Sequence, residues 1–100
     1  TPATDLPLGV WIDGDVHSAA EGLAGALQAS GRATVVGATS AGNVEAVLPF
    51  CLRDGSQLWI ATGVLAPIGG PTWLGSGVVP DHPVAPEHAL ATVRRLLLER

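Results

Sequence analysis

The sequence predicts a small α/β unit whose elements run strand, helix, strand, hairpin, helix. Three observations carry that expectation. Two short apolar stretches, Pro7 to Ile12 and Ala33 to Val36, flank a segment with helical spacing. An alternating stretch from Val44 to Val64 is interrupted at Asp54-Gly55, and a last apolar-striped segment opens at Pro86. Strand, helix and strand in that order imply a parallel pair joined by a right-handed crossover. Parallel sheets rarely stop at two strands, so further strands are expected from upstream chain or from a partner subunit. The 100 residues form one segment, core-like over 1–84 with a C-terminal helix over 85–100.

The first strand runs through Pro7-Leu8-Gly9-Val10-Trp11-Ile12 and is closed by the turn Asp13-Gly14-Asp15. Ser18-Ala19-Ala20-Glu21 has the capping-box form, a hydroxyl at the N-cap with a carboxylate three residues on. Leu23, Ala24 and Leu27 then follow at helical spacing, and the helix is expected to run to Ala29 and stop at Gly31. Gly22 and Gly25 weaken that helix by about 1 kcal/mol each, which points to an element packed closely on it. After the β-branched second strand, Gly37 to Gly42 reads as a loop of small residues. The hairpin comes next, and Pro49 within it marks an edge or a bulge because it cannot donate to a ladder. Pro67 to Gly77, rich in glycine around Trp73, is a loop of the length that often carries binding. Val78-Val79-Pro80-Asp81 leads to the last helix. Its start is marked by Pro86 and Glu87, its end by Arg94, Arg95 and Arg100, and its apolar face by Leu90, Val93 and Leu97.

Composition excludes several classes of function. Hydrophobic residues make up 47% and charged residues 14%, too apolar a mixture for a disordered chain. The apolar runs are short against the roughly 20 residues a bilayer requires, so no membrane span is expected. The net charge of −4 comes with five arginines and no lysine, and no basic stripe is present to neutralise phosphates. Nucleic acid is therefore not an expected partner, and chemistry that needs a lysine of this chain is excluded. The sequence contains no methionine, so further chain upstream of Thr1 is expected. One cysteine, Cys51, allows neither an internal disulfide nor a cysteine metal cluster, and it reads as a small interior residue beside Phe50. No metal and no cofactor are expected: His82 and His88 flank a proline-broken segment at a poor ligand spacing and read as surface residues. Gly69-Gly70 and Gly75-Ser76-Gly77 lack the following helix that a phosphate loop needs.

Ser18 is the first candidate for chemistry. A serine at a helix start lies beside backbone N–H groups without helical partners, which can both hold a nucleophile and stabilise an oxyanion. It also reads as a plain helix cap, and the two readings are compatible. His17 is a candidate base by adjacency alone, and Asp13 with Asp15 reads either as paired carboxylates or as turn chemistry. Trp59, Trp73, Phe50 and Leu65 are candidates to line an apolar ligand pocket, or ordinary core.

Five segments in order resemble the C-terminal processing peptidases, also called tail-specific proteases: Ile12 to Glu21, Gly25 to Gln28, Gly31 to Gly37, Leu52 to Ser56 and Gly77 to Asp81. Together they span about three quarters of the chain. Thr39-Ser40-Ala41-Gly42-Asn43 and Trp73-Leu74-Gly75-Ser76-Gly77 are most similar to the tricorn-like branch, which includes the retinoid-binding modules of the interphotoreceptor matrix. The resemblance implies a ClpP/crotonase-like core, part of which is this chain, and a nucleophile three residues before the helix glutamate, at Ser18. It implies the backbone amide of Ala19 as an oxyanion donor and a polypeptide as substrate, which can add as a strand beside the hairpin edge.

The departures from the family pattern are specific. In the lysine-dependent branch the base position falls on Asn43 and its glutamine partner on Val47, so the Ser/Lys dyad is absent. In the tricorn-like branch the base is a histidine far upstream, outside this chain, and the glutamate of the Trp-x-Gly loop falls on Leu74. Glu45, two residues beyond Asn43, is a substitute polar partner or a solvated edge residue. The family's Asn-x-Gly-Gly oxyanion stretch and its PDZ domain are not in this sequence. Catalysis by the chain alone is not expected, since a serine without a base is a weak nucleophile. The functional expectation is thus a serine-type peptidase homologue acting as part of a larger protein. The alternatives are an inactive scaffold holding an apolar ligand such as a retinoid or fatty acid, or an interaction module, with a homo-oligomer formed through an open sheet edge. Export beyond the cytoplasm is implied by the resemblance alone.

Overall fold

The computed structural model describes residues 5–99. Its elements are β1 (Gly9–Ile12), α1 (Ala19–Ala29), β2 (Thr34–Gly37), β3 (Glu45–Cys51), β4 (Gln57–Val64), β5 (His82–Pro83) and α2 (Pro86–Leu98). Arg100, expected at the end of α2, lies outside the described residues. β1, β2 and β5 form a parallel sheet in the order β1-β2-β5, with Val10 opposite Val35 and Val36 opposite His82. β3 and β4 form a separate antiparallel ribbon. The parallel pair joined through a helix is as expected. β5 was not anticipated, because a two-residue strand carries no period for a sequence to display.

The helices cover opposite faces of the sheet. Val10 and Ile12 turn toward α1, where Ile12, Ala24, Val35 and Val78 make the core with Val16 and Trp73 packed against it. Gly9, on the other face, lies under α2, and a methyl group there would come within 2.7 Å of Val93 Cγ1 and 3.7 Å of Leu97 Cδ1. Each expected helix face needs one correction, Leu23 in α1 and Leu90 in α2. In α1 the buried residues are Glu21, Ala24 and Gly25, while Leu23 is 65% exposed. In α2 the buried position is Ala89, with Val93 and Leu97 against Gly9, whereas Leu90 points largely to solvent. Period alone does not say which of two adjacent apolar stripes faces the sheet.

The close approach inferred from the α1 glycines is present. A side chain at Gly25 would collide with the Trp73 indole, and one at Gly22 would meet Leu65 Cδ1 at 2.7 Å. The Pro80-Asp81 step ties the sheet together. The Asp81 carboxylate accepts from the Val35 amide at 2.8 Å and from Gln28 Nε2 at 3.1 Å, and the Asp81 amide donates to Val35 O at 2.8 Å. In the ribbon the register shift lies at Ala46/Val47, not at Pro49, which pairs with Trp59. Cys51 is exposed on β3 and not in the interior, since the ribbon has no layer over it to bury the thiol.

Candidate active site

Ser18 opens α1 in an unusual backbone conformation. Its φ of 58° and ψ of −128° make it the only non-glycine residue with positive φ among the described residues. Such a conformation costs on the order of 1–3 kcal/mol and persists only where surrounding contacts enforce it. Here they do: the Ser18 amide donates both to Asn43 O at 2.8 Å and to Glu21 Oε2 at 3.0 Å, and its carbonyl accepts from Gly22 N at 3.1 Å. Ser18 and Glu21 stand in the capping-box relation, in which the Glu21 carboxylate accepts the Ser18 amide. Ser18 lies at an exposed position, beside Ala19 and Ala20, which are exposed too. The first amides of a helix have no partner within it, so the Ala19 N–H is free to meet a developing negative charge.

Glu21 is the hub of the arrangement. It is 0% exposed, and its carboxylate accepts four hydrogen bonds. Oε1 takes the Ser40 hydroxyl at 2.6 Å and the Gly42 amide at 2.6 Å; Oε2 takes the Asn43 amide at 2.9 Å and the Ser18 amide. Burial pushes the carboxyl upward, but the hydrogen bonds from Ser40, Gly42, Asn43 and Ser18 outweigh it and hold the group below its usual value. A buried charge without an ion pair is thus tolerated because donors saturate it. The loop 38–43 has to wrap around this carboxylate, which is why it consists of small residues.

A second loop clamps the first. The Gly75 amide donates to Gly42 O at 2.8 Å, the Val78 amide donates to Ser40 Oγ at 2.7 Å, and the Ser40 amide returns to Val78 O at 3.1 Å. Gly42 has φ of +79°, and a Cβ there would stand 3.0 Å from Gly75 C and Gly77 N, so a side chain at this position is both strained and crowded. The Trp73 to Gly77 turn is thereby held beside the loop that carries Asn43.

The remaining candidates fall into place around this frame. Asn43 lies against Ser18 through its backbone, with its residue surface open to solvent. Glu45 begins β3 opposite Val64 and is half-buried. His17 is exposed, its Nδ1 3.0 Å from Asp15 O, which with Nδ1 protonated leaves Nε2 as the free acceptor. Asp13 and Asp15 resolve as a turn: the Asp15 amide donates to Asp13 Oδ1 at 2.9 Å and the Val16 amide to Asp13 O at 3.1 Å. Trp73 packs on the core beneath α1, whereas Trp59 is 60% exposed on the ribbon. Leu74 is exposed, its amide held by Thr72 Oγ at 3.2 Å. His82 sits on β5 and His88 in the first turn of α2, both exposed. No group of three or more His, Cys, Asp or Glu side chains among the described residues is placed to hold a metal ion. None of the described helices is long and apolar enough to cross a membrane.

Sequence reasoning missed the role of Glu21 beyond its local cap. A signal was present: Glu21 shares the stripe of Ala24 and Gly25, so an α1 that buries those residues also buries the glutamate.

Comparison with known proteins gives the family and the fold. The sequence profile of peptidase family S41 matches residues 1–84. Among solved structures, a photosystem II D1 C-terminal processing protease superposes with a TM-score of 0.77 at 32% sequence identity, over 91% of this chain. The match covers 24% of that protease, so the chain spans about a quarter of its length.

Proposed function

The chain belongs to peptidase family S41, and from that premise we propose that it is the nucleophile-bearing part of a serine peptidase that cleaves extended polypeptides near their C-termini. Ser18 Oγ attacks the scissile carbonyl, forming a C–O bond as the carbonyl electron pair moves to oxygen. The Ala19 amide donates to that oxyanion. The serine proton passes to a base outside this chain, an upstream histidine in the tricorn-like manner, and from there to the leaving amine as the C–N bond breaks. Water then releases the acyl group by the same steps in reverse.

The observation that carries this reading is the strained, accessible Ser18 at the start of α1, held by the buried Glu21 carboxylate that also fixes the loop carrying Asn43. A helix that needed only a cap has no cause to hold its capping serine at positive φ. The test is incubation of the whole protein with an unstructured polypeptide and mass spectrometry of the fragments. Cleavage that disappears in Ser18→Ala supports the reading, and cleavage that persists in Ser18→Ala overturns it.

Asn43 supports a second reading. An amide cannot take a proton, so a scaffold with Asn43 beside Ser18 and no external base is catalytically silent and left to bind a ligand or a partner. Saturable quenching of tryptophan emission by a retinoid or fatty acid, with no peptide cleavage, favours that reading.

A further inference from the structure

Ser40 lies three residues before Asn43, and its hydroxyl is the one side-chain donor among the four groups that meet Glu21; the other three are backbone amides. It is buried, at 7% exposure. The direction of its hydrogen bonds follows by elimination. The Val78 amide stands 2.7 Å from Ser40 Oγ and can only donate, so the single hydroxyl proton goes to Glu21 Oε1 at 2.6 Å. A continuous chain results: Val78 N–H donates to the Ser40 hydroxyl, the hydroxyl donates to the Glu21 carboxylate, and the carboxylate accepts the Ser18 amide. It runs from the end of the Trp73 to Gly77 turn to the start of α1.

The two oxygens of Glu21 are not loaded alike. Ser40 and Gly42 sit on Oε1 at 2.6 Å each, whereas Asn43 and Ser18 sit on Oε2 at 2.9 and 3.0 Å. Shorter bonds to a charged acceptor are the stronger ones, so the Oε1 pair anchors the carboxylate and the Oε2 pair is what the anchored carboxylate holds. Burial pushes the Glu21 carboxyl upward, and of the donors that pull it back down the Ser40 hydroxyl pulls hardest. Ser40 is itself fixed from behind. Its amide donates to Val78 O at 3.1 Å, and Val78 is packed in the core with Ile12, Ala24 and Val35. At the other end, Ser18 divides its amide between Asn43 O and Glu21 Oε2, and its positive φ persists only under such contacts.

We propose that Ser40 is a positioning residue for the nucleophile: its hydroxyl, anchored on the Val78 amide, fixes Glu21 so that the carboxylate holds the Ser18 backbone in the conformation from which Oγ attacks. The kinetic consequence rests on the reading of Ser18 as a nucleophile. The positioning itself does not, because the chain of contacts exists whether or not Ser18 reacts.

Three variants of the whole protein separate hydrogen bonding from packing. Ser40→Ala removes the link, Ser40→Cys keeps nearly the same shape with a weak donor, and Ser40→Thr keeps the hydroxyl. The first readout is the Ser18 amide in proton–nitrogen correlation spectra, with the Ser56 amide, held by Asp54 at the tip of the ribbon, as internal control. Ser40→Ala should move the Ser18 amide proton upfield and speed its exchange about tenfold relative to Ser56; Ser40→Cys should do so less fully, and Ser40→Thr should restore both. The second readout is cleavage of an unstructured polypeptide. Loss of position without loss of binding should lower kcat of Ser40→Ala by about 10- to 100-fold with KM within about twofold, and Ser40→Thr should recover most of it. Should Ser40→Ala not fold, Ser40→Cys carries both readouts. A Ser18 amide unmoved in these variants overturns the proposal, as does an unchanged kcat in an active protein. Ser40→Cys indistinguishable from wild type overturns the hydrogen-bonding role and leaves Ser40 to fill space. A wild type that cleaves nothing overturns the peptidase reading instead, and the Ser18 amide then decides the role of Ser40 by itself.

Discussion

Replacing Glu21 by glutamine keeps the shape of the side chain and removes its charge. The consequence follows from the four donors that converge on it. At the Oε2 site a glutamine NH2 would face two amides, Ser18 and Asn43, neither of which can accept. At the Oε1 site it would face the Gly42 amide and the Ser40 hydroxyl, and only the hydroxyl can turn to accept. The amide therefore settles at Oε1 and leaves Gly42 N–H without an acceptor. An orphaned buried amide costs roughly 1–3 kcal/mol, and the bonds that lose charge assistance each weaken by about 0.5–1 kcal/mol. Relief from burying a charge works the other way, for a net destabilisation of about 2–4 kcal/mol in Glu21→Gln. Urea unfolding at neutral pH measures it as a fall in the midpoint with an unchanged slope. The pH dependence gives a second handle. The folded-state value of Glu21 lies below its ordinary 4.5, so its stabilisation is fully present above 4.5 and is lost as pH falls through the lower folded value. The gap between wild type and Glu21→Gln should be flat above about 4.5 and should narrow on acidification. A gap below about 0.5 kcal/mol at neutral pH, or one that does not narrow in acid, would refute the hub.

Two further substitutions probe the same frame. Gly25→Ala drives a methyl group into the Trp73 indole; it should destabilise by roughly 1–3 kcal/mol and shift tryptophan emission to the red as Trp73 leaves its packed position. At Ser18 the strain sets an order: Ser18→Gly should be more stable than Ser18→Ala by about 1 kcal/mol in thermal or urea unfolding, because glycine accepts the positive φ that alanine does not.

The elements with a clear period were legible in the sequence. The capping-box start of α1, the Asp54-Gly55 turn and the Pro86 start of α2 stand where local chemistry sets them. Ser18, Ala19 and Asn43 were readable as candidates, and the structure joins Ser18 to Asn43 through a backbone hydrogen bond. What could not be read were the contacts that depend on the third dimension. Glu21 looked like half of a cap because its other three donors lie on a loop about twenty residues on, and sequence shows no distance across that gap. Leu23 of α1 and Leu90 of α2 were misplaced for a related reason. Leu23 and Leu90 are apolar and correctly spaced, but the glycines at 22, 25 and 9 decide where a neighbour can approach. Cys51 followed the general tendency of free cysteine to be buried, and the ribbon departs from it by exposing nearly everything it carries.

The central claim is that Ser18 is held as a nucleophile and not merely as a cap. Exposure of the whole protein to a fluorophosphonate, followed by peptide mapping in the mass spectrometer, tests it most directly. The account predicts a phosphonyl adduct on Ser18, absent from Ser18→Ala, that forms faster in Asn43→Lys, where an amine stands beside the hydroxyl. A folded Asn43→Lys protein that stays unlabelled, with wild type unlabelled as well, would contradict it.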